Sequence, residues 1–280
     1  MTRYLIYDVF ADAPLAGNPL AVVPDASALP EAALQPLARE FNLSETVFMF
    51  PAEAPGATAR LRIFTPTMEV PFAGHPVIGA AVALAEAGGG PEMLLELGVG
   101  PLPCRAGGGR ASVVTERPLE ILAEPEPALV ARALGLPARA IRTDRHAPAI
   151  ASVGLPFTLT ELSGPEALAA CAPDTAAFQE GTARHPGALD FAQYAYVREG
   201  SDVQARMFAP LDLIPEDPAT GSAACALAAF LAAREGGAAR LEIRQGEAMG
   251  RPSRISVTAE GGRVTLSGAA RRVMEGRLLL

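Results

Sequence analysis

Four side chains far apart in the chain have the chemistry needed for proton transfer: Glu45, His75, Asp217 and Ser222. Carboxylates exchange protons near neutral pH once burial raises their pKa, and histidine titrates there unaided. Glu45 stands in Asn42-Leu43-Ser44-Glu45-Thr46-Val47-Phe48, where an amphipathic run gives way to an apolar strand. It is expected to project into a partly dry crevice. Asp217 lies in Glu216-Asp217-Pro218-Ala219-Thr220-Gly221-Ser222, the turn that leads into an Ala-rich helix. His75 follows Gly74 at the start of another such helix, and the positive end of the helix dipole is expected to keep it neutral. His146 and His185 lack such a context and read as solvated loop residues. Taken singly, either acid is more often an exposed turn residue or a cap than a catalyst.

Gly74 and Gly221 open the two helices. Unpaired N–H groups and the dipole make a helix start an anion site, and glycine lets a ligand approach the backbone closely. For one copy, a tight turn with Ser222 capping its helix explains the pattern. For two matched copies, the expectation is a pair of N-termini facing each other across a cleft and holding a substrate carboxylate.

Other chemistries lack their residues. All 23 basic side chains are arginine, so there is no Schiff-base lysine and no phosphate-binding-loop lysine. With 31 acidic residues the net charge is −8, which repels nucleic acid. Cys104, Cys171 and Cys225 are odd in number and widely spaced, against a disulfide framework or a thiolate zinc site. No ligand spacing for another metal occurs, and neither a nucleophile elbow nor a dinucleotide fingerprint is present. No cofactor or metal is expected. Half of the residues are hydrophobic, yet no uninterrupted apolar run spans a membrane, so a folded protein of the reducing cytoplasm is expected.

The elements that must position these residues repeat. Arg62-Ile63-Phe64-Thr65-Pro66 leads to Gly74-His75 and an Ala-rich run, and Arg206-Met207-Phe208-Ala209-Pro210 leads to Gly221-Ser222 and another. The offsets are 144 (206 − 62) and 147 (221 − 74), so the second copy has three extra residues before its helix. Two related halves follow. The helices, roughly 75–87 and 222–235, are apolar on nearly all sides and too short for a membrane, so each belongs inside its own domain, wrapped by strands. Alternating patterns place strands at 2–9, 20–23, 46–50, 59–65, 92–97 and 110–115, then at 149–153, 192–198, 203–209, 240–245, 253–259 and 262–267. A hairpin is expected around Ala106-Gly107-Gly108-Gly109, and amphipathic helices near 30–41, 126–134 and 164–171 pack outside. The boundary falls in Arg117–Pro127, giving domains 1–117 and 118–268. A strand over about 269–280 either returns to the first domain or joins an interface.

Asp8-Val9-Phe10, Gly17-Asn18-Pro19-Leu20-Ala21-Val22-Val23, Leu43-Ser44-Glu45-Thr46-Val47-Phe48, Gly74-His75-Pro76, Asp217 through Ala223 and Gln245 through Ser253 occur together and in order. In this combination the chain resembles the phenazine-biosynthesis PhzF-like isomerases over nearly its whole length. The resemblance implies an α/β (α+β) chain with the diaminopimelate epimerase-like fold: two pseudo-symmetric domains, each a curved mixed sheet around a central helix. It also implies a homodimer that isomerises a small carboxylate of the trans-2,3-dihydro-3-hydroxyanthranilate type without a cofactor. Glu45 would be the general acid/base, with His75, Asp217 and Ser222 orienting substrate and assisting proton transfer. Gly74, Gly221, Thr220 and Asn18 would bind substrate. Racemases of the wider superfamily carry a cysteine at each helix start, where this chain resembles them with Ala73 and Thr220, so two-base cysteine chemistry is disfavoured. Cys225, deeper in its helix, reads as a core residue. An amino-acid epimerase, racemase or dehydratase, and a non-catalytic ligand-binding homologue, are the alternative readings.

Overall fold

The computed structural model describes residues 1–187 and 189–280. Its contacts divide the chain into two units, Met1–Thr115 with Thr265–Leu280, and Glu116–Val264.

The first unit runs through β1 (Arg3–Val9), β2 (Asn18–Val23), α1 (Glu31–Phe41), β3 (Glu45–Phe50), β4 (Ala59–Phe64), β5 (Glu69–Val70), α2 (Gly74–Glu86), β6 (Glu92–Leu97), β7 (Gly100–Gly107) and β8 (Arg110–Thr115). The second contains β9 (Glu120–Ala123), α3 (Pro127–Ala133), β10 (Ala149–Ser152), β11 (Pro156–Glu161), α4 (Pro165–Ala169), α5 (Thr175–Arg184), β12 (Gln193–Glu199), β13 (Asp202–Ala209), β14 (Ile214–Asp217), α6 (Gly221–Arg234), β15 (Ala238–Gln245) and β16 (Ser253–Glu260). The last strand, β17 (Arg263–Arg277), runs antiparallel to β1 from Val9↔Ala270 to Arg3↔Arg277.

In the first unit β2 and β3 are parallel, with α1 as the crossover, and β4 and β6 are parallel, with α2 between them in sequence. Antiparallel pairings complete the order β1-β2-β3-β4-β6-β7-β8, and β17 joins both β8 and β1, so the mixed sheet closes on itself. The second unit repeats the scheme as β10-β11-β12-β13-β15-β16, with β11–β12 and β13–β15 parallel and β9 added beside β10.

Each sheet surrounds the helix that its Ala-rich run predicts. α2 is buried from Gly74 through Ala83, and α6 from Gly221 through Ala228 and again at Phe230–Ala232. Small side chains let these helices approach the strands closely: a Cβ at Gly79 would run into Leu20 and Val9. The larger Phe230 is fully buried and contributes about 2–3 kcal/mol by leaving water. α1 is the outer amphipathic helix the pattern predicts, burying Leu34, Leu37 and Ala38 and ending where Asn42 turns left-handed at φ 52°. The glycine run makes a hairpin, with Gly107 opposite Arg110 and both Gly108 and Gly109 at positive φ.

Periodicity misses β5, β7, β9, β11, β14 and α5. The short strands offer too few residues to alternate, and prolines interrupt Gly100-Pro101-Leu102-Pro103. Two histidine readings are corrected as well. His146 is 6% exposed, its Nε2 2.6 Å from the Tyr196 hydroxyl and its ring edge-on to Phe230. His185 is half-buried and stacks on Phe191. Both lie in loops by sequence, but tertiary packing covers them.

Candidate active site

The first unit brings Glu45 and His75 together. Because β2 and β3 are parallel, their starts lie at one end of the sheet, with Leu20 opposite Glu45 and Asn18 two residues earlier on β2. The α2 helix begins at Gly74, which places His75 in its first turn. His75 Nδ1 lies 3.3 Å from Glu45 Oε2, with the imidazole 3% exposed and the carboxyl side chain 16%. Burial pushes the imidazole pKa down to about 3, opposed by a hydrogen bond to the Pro19 carbonyl. His75 is therefore neutral, as the helix-dipole argument predicts, but exclusion of water is the principal reason. The contact joins a carboxyl group to an uncharged ring rather than forming an ion pair. Asn18 is fully buried at the head of β2.

The second unit builds a hydrogen-bonded turn around Asp217, which ends β14 and pairs with Met207 of β13. Asp217, Thr220 and Ser222 are all at least nine-tenths buried. Thr220 Oγ1 donates to Asp217 Oδ2 at 2.5 Å. Gln245, 1% exposed at the end of β15, reaches the same turn: its Nε2 donates to the Asp217 carbonyl at 2.8 Å and to Thr220 Oγ1 at 2.9 Å. Its Oε1 accepts from Thr220 N at 3.2 Å and from the Tyr194 hydroxyl at 3.3 Å. The next residue, Gly246, has φ 76°, and a Cβ there would press into the Pro218 carbonyl.

Both helix starts lack a side-chain cap. The N-cap residues are Ala73 and Thr220, neither of which gives a capping hydrogen bond, so Ser222 is not the cap. First-turn N–H groups in such a helix are available for an anion, and neither first turn carries an acidic residue to compete for them. The position is chemically suited to a carboxylate.

Sequence reasoning overlooked two sets of supporting residues. The first is Gln245 with Tyr194, whose roles depend on tertiary approach. The second is the arginine of the repeated Arg-x-Phe. Arg62 Nε and Nη2 grip both oxygens of Glu69, and its guanidinium stacks 5.2 Å above the Phe64 ring. Arg206 grips Glu216 in the same way and stacks 4.8 Å above Phe208. The signal was present, because Glu69 and Glu216 share the helix-start offset of 147 (216 − 69). Each clamp fixes the short strand that feeds a helix start, and planar bidentate pairing is a task for arginine.

A family model described as phenazine biosynthesis-like protein matches residues 7–276. The chain is 40% identical to an uncharacterized isomerase of Mesorhizobium japonicum over 99% of both chains. It is 36% identical to the trans-2,3-dihydro-3-hydroxyanthranilate isomerase of Pseudomonas aeruginosa over 100% of both. The structure of a predicted epimerase from Pseudomonas aeruginosa superposes with a TM-score of 0.84 at 34% identity, covering 100% of each chain, in keeping with an epimerase-like fold. Among the described residues no helix is long and apolar enough to cross a membrane.

Proposed function

The chain belongs to the phenazine biosynthesis-like protein family, and from that premise we propose that it moves a proton within a small unsaturated carboxylate, using its own side chains and no cofactor. At the level of reaction class it is an isomerase, like the relatives it matches. Glu45 is the general acid/base: its carboxylate takes a proton from one carbon and returns it to another, so the reaction needs no net donor or acceptor. The reading rests on one contact, Glu45 Oε2 against the neutral ring of His75 in a largely dry setting. The neutral imidazole meets the carboxyl group without a charge of its own, an arrangement suited to a group that passes a proton in both directions.

Asp217 and Ser222 orient the substrate and assist transfer, while the Gly74 and Gly221 amides, with Thr220 and Asn18, bind it. The uncapped helix starts support the choice of a carboxylate. The relative that bears the name acts on trans-2,3-dihydro-3-hydroxyanthranilate, and that compound is the substrate class proposed for this chain. We place the enzyme as a homodimer in the cytoplasm; the three free cysteines, all buried, suit a reducing compartment, and sedimentation velocity tests the dimer. Glu45→Gln keeps the shape and removes the base. It is expected to retain the native circular dichroism spectrum and lose turnover, and an active Glu45→Gln protein would overturn the mechanism.

The predicted-epimerase relative favours a second reading, epimerisation of a small amino acid. Cys225 does not supply a base for it, being 1% exposed with its thiol pushed up to about 12 by burial. Deuterium from heavy water at an α-carbon would select epimerisation, and deuterium at a ring or vinylogous carbon the isomerisation.

A further inference from the structure

We propose that Thr220 and Gln245 are positioning residues that hold Asp217 as an oriented carboxylate, through a donor chain running Tyr194 to Gln245 to Thr220 to Asp217. Backbone partners fix the amide end of this chain, and the contact geometry gives its last step. A backbone carbonyl only accepts and a backbone N–H only donates, so the contacts of Gln245 with the Asp217 carbonyl and the Thr220 N–H fix which end of its amide is which. The amide nitrogen then gives its second proton to Thr220 Oγ1. A hydroxyl has one proton and two lone pairs; one lone pair accepts from Gln245, and the proton is donated to Asp217 Oδ2, at 2.5 Å. Oδ2 thus accepts a hydrogen bond inside a side chain that is 4% exposed, and a donor aimed at a carboxyl oxygen stabilises its charged form.

Next to Asp217, Glu216 is clamped by Arg206 of β13, which leaves that pair compensated. Tyr194 of β12 and Cys225 of α6 are both driven neutral by burial, the thiol to about 12 and the phenol above its ordinary range. Asp212, before β14, is raised by burial and opposed by the Asp190 amide. Gln245 uses both donors and both acceptor sites inside the network, so its role is satisfied only by an amide of this length.

The inference rests on the assignment of Asp217 to the reaction, but its test does not require turnover. In protein labelled with carboxyl-carbon-13 aspartate, the Asp217 signal is identified by its loss in Asp217→Asn and followed against pH. Two or three donors lower a carboxylate by about two units, so roughly one unit belongs to each. Thr220→Val is expected to raise the Asp217 midpoint by about one unit, and Thr220→Ser to restore it to within about 0.3 units. If Thr220→Val does not fold, Thr220→Ala makes the same deletion with less crowding. A merely structural threonine would lower the melting temperature without moving the midpoint, and an unmoved midpoint in a folded variant overturns the proposal. Turnover of trans-2,3-dihydro-3-hydroxyanthranilate supplies the second arm: the acidic limb of the kcat profile is expected to move with the midpoint in Thr220→Val. Full activity in Asp217→Asn would instead refute the assignment of Asp217 to the reaction and leave the titration result standing.

Discussion

The two units share a frame and differ in their chemistry. Strand order, the parallel pairs, the Arg-x-Phe stack and its glutamate clamp occur in both. Pro71 lies under Gly98 in one and Pro218 under Gly246 in the other. The offset of 147 sets Val70 of the first unit against Asp217 and His75 against Ser222. Strand register extends the match: Thr46 pairs with Phe64 and Gln193 with Phe208, so the preceding Glu45 corresponds to Ala192. Likewise Ala21 and Thr158 occupy equivalent parallel positions, so Asn18 corresponds to Leu155. Every residue proposed to act through its side chain sits where the copies disagree, Thr220 included, whose counterpart is Ala73. The backbone features proposed to bind substrate, Gly74 and Gly221, sit where they agree. Duplication supplied the helix starts, and divergence at the ends of strands supplied the acid/base groups.

The sharpest test of this division is Glu45→Gln, for which turnover is expected to fall at least about 10³-fold with the fold retained. An equal loss from a polar substitution at Ala192, read in the same assay, would break the asymmetry. Asp217→Asn is expected to lower kcat by roughly 10²-fold, because it removes a charge but keeps the side chain's size.

A stability difference follows from His75. The unfolded chain takes up its proton near 6.5 and the folded unit near 3, so its contribution is fully present above about pH 6.5 and is lost as pH falls toward 3. Denaturant titrations are expected to show about 2–3 kcal/mol lost between pH 6.5 and 4.5, and His75→Gln to flatten that slope. Ser222, its counterpart, contributes no such dependence, so an unchanged slope in His75→Gln would place the acid sensitivity elsewhere.

The clamps differ in burial, and their deletions should differ accordingly. Arg206 is 14% exposed and also donates to the carbonyls of Leu168, Ala169 and Cys171, whereas Arg62 is 21% exposed beside the more exposed Glu69 and Glu31. Arg206→Gln is expected to cost about 2–3 kcal/mol and Arg62→Gln about 1 kcal/mol in unfolding experiments. Equal costs would show the clamps to be energetically interchangeable. The smallest effect is expected from Cys225→Ala, about 1 kcal/mol of stability with turnover unchanged. A large loss of activity there would restore a cysteine to the chemistry.

Much of the frame was legible because it rests on local pattern. Apolar helices without a polar face must be enclosed, alternating runs must be strands, and matched Arg-x-Phe and Gly-containing segments must occupy matched places. Residue type and local context made Glu45, His75, Asp217 and Ser222 candidates for proton transfer, and the family resemblance joined them as a set. What failed was whatever depends on approach between distant segments. His146 reads as a loop residue until Tyr196 and Phe230 cover it. Gln245 is one polar residue at a strand end until the fold carries its amide to a turn 25 residues away.

The sequence by itself determined the repeat, the buried helices and the kinds of groups available for proton transfer, since composition and periodicity reflect which surfaces must leave water. Only the tertiary structure decided that His75 is neutral through burial against Glu45, and that Gln245 and Thr220 aim their donors at Asp217. Desolvation and hydrogen-bond direction belong to the three-dimensional surroundings of an atom, and no linear spacing encodes them.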